Sequence, residues 1–248
     1  MGVFIKNDEQ IELMRKASSI CARAHELLEK HVCPGVTTLE LNTIAEDFIR
    51  SQDAIPSFLG YRGFPASACI SINDEVIHGV PSLRRLKKGD IVSIDLGVCY
   101  KRFHGDAART HAVGKISEVH QQLIDVTRNA FFESIKEAKA GSRLFEISNT
   151  LEDYVESKGF KVVREWCGHG IGRTVHEDPQ IPHTRQEKRG PRITKGMTLA
   201  VEPMVNAGGH ECSTSKDTWT VVTSDGKYSA HYENTILITD GEPEILTL

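Results

Sequence analysis

Four carboxylates in this chain occupy positions where carboxylates are poorly tolerated. Asp95 lies inside the apolar run Ile91-Val-Ser-Ile-Asp-Leu-Gly-Val-Cys-Tyr100, and Asp106 follows a short turn near Lys101-Arg102, in Gly105-Asp-Ala-Ala-Arg-Thr110. Glu202 is embedded in Leu199-Ala-Val-Glu-Pro-Met-Val205, and Glu233 precedes Thr235-Ile-Leu-Ile238. Asp is a poor strand former. Read as a hairpin with its turn centred between Tyr100 and Lys101, the first pair sets Asp95 directly opposite Asp106, where like charges repel. One Asp turned to solvent, or a shift of register, would relieve that repulsion; a bound cation would convert it into chelation. The anomaly recurs at Glu202 and Glu233, and solvated faces do not explain four acids in strand-like runs. His169 sits in Gly168-His-Gly-Ile-Gly172, whose small neighbours let the backbone pack closely and leave the imidazole unobstructed. Alone, a glycine-flanked histidine reads more simply as a satisfied structural residue. Four carboxylates and one imidazole together make a mostly oxygen site suited to Mn²⁺, Fe²⁺ or Co²⁺ and able to take Zn²⁺. So many anionic ligands exceed what one ion needs, which favours two divalent ions.

The elements that must position these residues are written twice. Laid on itself with an offset of about 106 residues, the sequence matches Gly35 through Ser51 with Gly141 through Ser157. Glu40 falls on Glu146, and Glu46-Asp47-Phe48-Ile49 falls on Glu152-Asp153-Tyr154-Val155. One residue of slippage later, Lys88-Gly89 falls on Lys195-Gly196, so that Asp95 and Glu202 follow at the same distance. A period this long marks a duplicated half-domain rather than a solenoid repeat. Helical spacing of apolar residues predicts a helix over 8–31, ended by Pro34-Gly35, and a second from a Thr38 N-cap through Phe48 and Ile49. The second half repeats this over 118–139 and 143–158. Strand-like runs follow at 68–72, 91–98, 109–113, 198–205, 219–223 and 231–239. Helices grouped before antiparallel strands, twice over, predict an α+β fold in a single domain over 1–248, with halves of roughly 1–115 and 116–248 and the site between them.

The 248 residues can bury a substantial core, and a hydrophobic fraction of 39% with 26% charged residues is that of an ordinary soluble protein. A net charge of -4 gives no reason to expect nucleic-acid binding over the whole surface. The basic runs Arg84, Arg85, Lys87, Lys88 and Arg185, Lys188, Arg189, Arg192, Lys195 read as solvated loops, with a docking patch for an acidic partner such as the ribosome as the second reading. The six cysteines form no C-x-x-C pair, which argues against a zinc ribbon and fits reduced thiols in a cytosol. Charged residues begin at Lys6, with no apolar segment of a signal peptide and no run long enough to span a bilayer, so a cytoplasmic protein is expected.

The ordered set Asp95, Asp106, His169, Glu202, Glu233 resembles the Asp, Asp, His, Glu, Glu ligand set of the pita-bread metallopeptidases, whose fold is also duplicated. Ser71-Ile-Asn-Asp-Glu-Val-Ile-His-Gly-Val-Pro81, Gly168-His-Gly-Ile-Gly-Arg173, His176-Glu-Asp-Pro179 and Glu202-Pro203 are similar to the type I methionine aminopeptidases, across essentially the whole chain and without an N-terminal extension. The resemblance implies that Asp95 chelates one ion, Asp106 and Glu233 bridge both, and His169 and Glu202 complete the other sphere. It implies that Glu202 passes protons, and that His78 and His176 hold the scissile amide and its carbonyl oxygen. It implies a methionine pocket walled by Tyr61, Phe64, Cys69 and Trp219, with Phe58 close by. A water activated by two ions would attack the carbonyl of an N-terminal methionine on nascent polypeptides whose second residue is small, in a monomer with no membrane and no nucleic-acid partner.

Two departures qualify that likeness. Val175 stands where an aromatic residue is common in the family, which would widen the pocket edge. An Asp225-Gly226 two-residue turn would set Trp219 opposite Tyr232 and off the site's face, unless a bulge intervenes. An aminopeptidase of X-Pro specificity and a pita-bread binding protein without catalysis are the rival readings.

Overall fold

The computed structural model describes residues 2–248. Four helices carry most of the covering layer. Helix α1 (Asp8–Glu29) starts at a capping box in which Asn7 accepts from the Gln10 amide and the Gln10 side chain returns to the Asn7 amide. Its buried stripe is Met14, Ala17, Ile20, Cys21, Ala24 and Leu28. Helix α2 (Thr38–Ser51) is capped by Thr37 rather than by Thr38. The reason is Glu40, three residues on from Thr37, whose carboxylate takes the Thr37 amide at 2.7 Å while its own amide donates to Thr37 Oγ1 at 3.1 Å. The Thr38 hydroxyl turns away to the Ser82 carbonyl. Helix α3 (Glu118–Ser134) ends earlier than the apolar spacing predicts and tightens into a 3₁₀ turn, Ile135–Glu137; α4 (Leu144–Ser157) follows.

The main sheet is antiparallel throughout. Its order runs Ile55–Pro56, Ile91–Tyr100, Phe103–Ala112, Glu233–Leu237, Thr198–Val201, Cys167–Gly170, Glu177–Pro182, with Cys69–Ile72 also on Ile91–Tyr100 and Glu244–Ile245 on Glu233–Leu237. Strand alternation sorts the residues: Ile94, Leu96 and Val98 pack with Ile20, Leu28 and Leu41 beneath α1 and α2, which sends Asp95 and Gly97 to the opposite face. In the second half Phe131, Leu144 and Ile147 do the same for Leu199, Val201 and Ile236. Helices therefore cover one face and leave the acids on the other.

The duplication is visible in the backbone. Gly35 donates to Leu86 O as Gly141 does to Ile193 O, and Gly89 to Val113 O as Gly196 does to Ile238 O. Isolated bridges join Thr37 to Arg85 and Arg143 to Arg192. Gly89 and Gly196 both sit at positive φ, 99° and 83°, where a side chain is disfavoured.

Among the described residues no helix is long and apolar enough to cross a membrane. Several of the basic residues are paired: Arg84 with Glu75, Arg185 with Asp153, Arg189 with Glu146, and Lys195 with Asp240.

Candidate metal centre and substrate cavity

The hairpin carrying the two aspartates turns between Lys101 and Arg102, not between Tyr100 and Lys101. Both turn residues have positive φ, 45° and 71°, so Tyr100 pairs with Phe103. Asp95 therefore faces Ala108, and Asp106 faces Gly97. The shift is by two residues, so parity is kept and both aspartates stay on one face, diagonal to each other. Gly97 is required there, because a Cβ would lie 2.7 Å from Phe58 Cε1. Ala108 in turn faces Glu233, giving a row Cys69, Asp95, Ala108, Glu233 across four strands.

His169 arrives from the other side: it pairs with Ala200, which pairs in turn with Thr235. The Thr235 hydroxyl accepts from the Asp106 amide and donates to the Asp106 carbonyl, both at 2.9 Å, which locks Asp106 to the central strand. Glu202 falls in the one break of its strand, between Thr198–Val201 and Met204–Asn206, where Pro203 cannot donate to the ladder. Arg109 anchors the last acid by donating to the Glu233 carbonyl and to Asn234 Oδ1.

The register also extends the match between halves. The ladder that sets Asp95 opposite Ala108 recurs as the one that sets Val201 opposite Asn234 and Met204 opposite His231. Asp95 then corresponds to Glu202, Ala108 to Glu233 and Asp106 to His231.

All five sequence-predicted ligands converge. Asp106, Glu202, Glu233 and His169 are buried, at 3%, 8%, 2% and 6% exposure, and Asp95 opens partly to the cavity. Burial, compounded by neighbouring carboxylates, pushes Asp95, Glu202 and Glu233 well above the usual carboxylate range; burial also raises Asp106, to about 7. Asp95 Oδ1, Asp106 Oδ1 and Glu233 Oε1 are buried without a hydrogen-bond partner. His169 Nδ1 lies 2.9 Å from the Gly170 carbonyl and donates to it, so Nδ1 carries the proton and Nε2 presents a lone pair, 3.4 Å from Glu202 Oε1. Burial lowers the His169 pKa to about 3, which keeps the ring neutral. Atoms of Asp106, His169 and Glu233 lie within 4.8 Å of one another. Orphaned carboxylate oxygens, mutual repulsion and an oriented imidazole nitrogen are what a divalent cation would satisfy, so the donor set fits a metal centre.

The glycines around His169 are obligatory. A Cβ at Gly168 would stand 2.6 Å from Ala200 O, and one at Gly170 would stand 2.2 Å from Asp178 O.

The acids floor a cavity of about 710 Å³, which Phe58, Tyr61, Phe64, Cys69, His78, His176 and Trp219 also line. Trp219 meets Phe64 edge-on at 5.2 Å. The sequence-based objection to Trp219 fails because Val221–Thr223 pairs with Cys212–Thr214 and Glu75–Ile77 and never with the Glu233 strand. Neither a bulge in a Glu233 hairpin nor exclusion from the cavity is needed. Val175 is buried among Phe58, Phe64 and Cys69, part of the same wall. His176 stacks on Tyr61, whose hydroxyl lies 3.0 Å from His176 Nδ1, and its ring centre is 4.3 Å from that of His169. His78 holds a positive φ of 58°, a strained conformation for a non-glycine residue, and packs edge-on against Trp166. Burial lowers the pKa of His78 and of His176 to about 4.

Sequence reasoning does not single out His231, whose buried, unpartnered Nε2 lies 3.8 Å from Glu202 and 3.9 Å from Glu233. Its signal was available: a residue two before a predicted ligand shares that ligand's face. Trp166 and Glu177, which also line the cavity, gave no comparable signal.

Comparison with known proteins places these observations. The pattern of metallopeptidase family M24 matches residues 12–240. The chain is similar to the methionine aminopeptidase of Clostridium perfringens, at 55% identity over 246 residues and 99% of both chains. It is similar to methionine aminopeptidase 1 of Bacillus subtilis, at 50% identity over 99% of both chains. Its structure is similar to that of the methionine aminopeptidase from Thermotoga maritima, with a TM-score of 0.98 and 42% identity over 99% of both chains.

Proposed function

Since the chain belongs to metallopeptidase family M24 and has the pita-bread fold, we propose that it is the aminopeptidase that removes the initiator methionine from polypeptides whose second residue is small. The observation that carries this reading is the junction of two features: five convergent side chains suited to metal, three of them with orphaned oxygens, and an aromatic-walled cavity directly above them. Relatives of 50% identity or more, matched over their whole length, bear the same activity in their names.

The residues divide the work. Asp95, Asp106, His169, Glu202 and Glu233 would hold two divalent ions, of iron, manganese, cobalt or zinc. Bound there, such ions supply Lewis acidity, lowering the pKa of water and polarising the scissile carbonyl. Glu202, beside His169 at the break of its strand, takes the proton of the attacking water and returns it to the leaving amine. With the Tyr61 hydroxyl donating to Nδ1, His176 keeps its proton on Nε2 and donates to the developing oxyanion. His78, neutral and held by Trp166, orients the scissile amide. Phe58, Phe64, Cys69 and Trp219 receive the thioether side chain, soft contacts that suit sulfur.

One chain supplies every one of these groups, which supports action as a monomer. All six cysteines are free, which supports a reducing cytoplasm, where nascent chains leave the ribosome. Assay of Met-Ala-Ser against Ala-Pro-Ala decides specificity: cleavage of the first alone is expected, and preference for the second would transfer the chain to the X-Pro class. Replacement Glu202→Ala should cost at least about a hundredfold in kcat, and full rate in that variant would sink the assignment.

A further inference from the structure

The loop from Gly172 to Glu177 brings Val175 and His176 to the cavity, yet what holds it lies on its far side. Glu177 gathers the loop: its Oε1 accepts the amides of Arg173, at 2.7 Å, and Thr174, at 3.3 Å. The Thr174 hydroxyl donates to the His176 carbonyl at 3.0 Å, and the Gly172 amide to the Thr174 carbonyl at 3.1 Å. The second oxygen of Glu177 is taken from outside the site. Lys6 Nζ donates to Oε2 at 2.7 Å, with the Lys6 side chain only 3% exposed. The lysine comes from the segment before α1, fixed on one side by its amide on the Gly196 carbonyl and on the other by the Asn7 cap. Gly172 makes room for it, since a Cβ there would stand 2.5 Å from Lys6 Cε and 2.7 Å from Glu177 Oε1.

A buried ion pair is a weak device for stability, because desolvation of both ions offsets their attraction. It is a good device for fixing a geometry. Glu177 lines the cavity one residue from His176. Freed of Lys6, its carboxylate would keep only the two loop amides, and the backbone that carries His176 would lose its tie to the segment before α1.

We infer that Lys6 is a positioning residue for the proposed peptidase reaction: its ammonium, passed beneath Gly172, clamps Glu177 and thereby fixes His176 at the cavity wall. The inference rests on the aminopeptidase reading for the role of His176, while the clamp itself stands on contacts present in the chain.

The test compares metal-loaded wild type, Lys6→Met, Glu177→Gln and the double variant on Met-Ala-Ser. Each single change is expected to lower kcat by about ten- to a hundredfold, the scale of a small misplacement of a reacting group. KM and metal content should stay within about twofold of wild type, and the Arg173 and Thr174 amides should exchange hydrogen faster. Because the two residues act as one unit, the double variant should lose no more than the worse single. Full kcat in Lys6→Met, or losses that multiply in the double, overturns the clamp. So does a fall in melting temperature with kcat unchanged well below it, the mark of a purely structural staple. Should Lys6→Met fail to fold, Glu177→Gln keeps an acceptor for the two amides, and full kcat in it is equally fatal. A wild type that leaves the peptide uncut sinks the peptidase reading instead, and unaltered exchange at Arg173 and Thr174 then sinks the clamp independently.

Discussion

Loading the protein with a divalent metal should raise its unfolding temperature, and by more at about pH 8 than at about pH 6. Four mutually repelling carboxylates share one buried face, and Asp106 titrates at about 7 in the metal-free fold. Its folded pKa lies above the unfolded value. Its contribution to metal-free stability is therefore fully present below the unfolded pKa and lost as pH rises through about 7. Asp95, Glu202 and Glu233 are displaced in the same direction. Metal binding works against those protons, since ligands must be deprotonated. From Asp106 alone, proton competition weakens apparent affinity about tenfold between pH 8 and pH 6, or about 1.4 kcal/mol. With free metal at about a hundred times Kd near pH 8, binding adds about 2.7 kcal/mol. At about 2–4 °C per kcal/mol for a chain of this size, that is roughly 5–11 °C, shrinking by roughly 3–5 °C near pH 6. The assay is scanning calorimetry of chelator-treated protein with and without Mn²⁺ across that range. A metal increment that is constant with pH, or larger at the acid end, would refute the account of a charge-repelling ligand cluster.

Two further outcomes follow from close contacts. Gly170→Ala places a methyl group against the Asp178 carbonyl, so the two strands must part next to His169; a lower melting temperature and a metal titration weakened at least about tenfold are expected, and wild-type metal affinity would contradict it. Val175→Phe fills space beside Phe58, Phe64 and Cys69. The wild-type cavity should then accept ethionine nearly as well as methionine. The variant should widen the kcat/KM ratio between them by about tenfold, the worth of a methylene in an apolar pocket, whereas an unchanged ratio would remove Val175 from the specificity wall.

How much of this could be read in advance depends on what kind of signal each residue emits. Asp95, Asp106, Glu202 and Glu233 betray themselves because a charge in an apolar strand contradicts its surroundings, and that contradiction survived a hairpin register wrong by two residues. Period-two alternation forgives even errors and only even ones. The turn falls one residue later than the sequence predicts because Lys101 and Arg102 are not the residues that usually accept positive φ, so nothing local marks them. Trp219 departs from expectation for a related reason: segments adjacent in sequence pair by default, but here the segment joins a separate small sheet. Lys6 and Glu177, 171 positions apart, carry no joint signal in sequence at all. A lone lysine before a helix reads as solvated until the glycine that lets it through is seen from the side.

Ala108 facing Glu233 has a consequence for ancestry. If the two halves descend from one shorter chain that once associated with a second copy, these two positions met as identical residues across the symmetry axis. Two glutamates there would have stood like against like, and two alanines would have offered no donor. A homodimer cannot choose one of each. Joining the copies into a single gene released that position from its own mirror, and the acid could then appear on one side while the other stayed small enough to admit it. On the same premise Asp106 and His231, equivalent positions in the two halves, were freed to differ. The directionality of the site, acting on one end of an amide and not the other, is on this view a property that two identical copies could not have had.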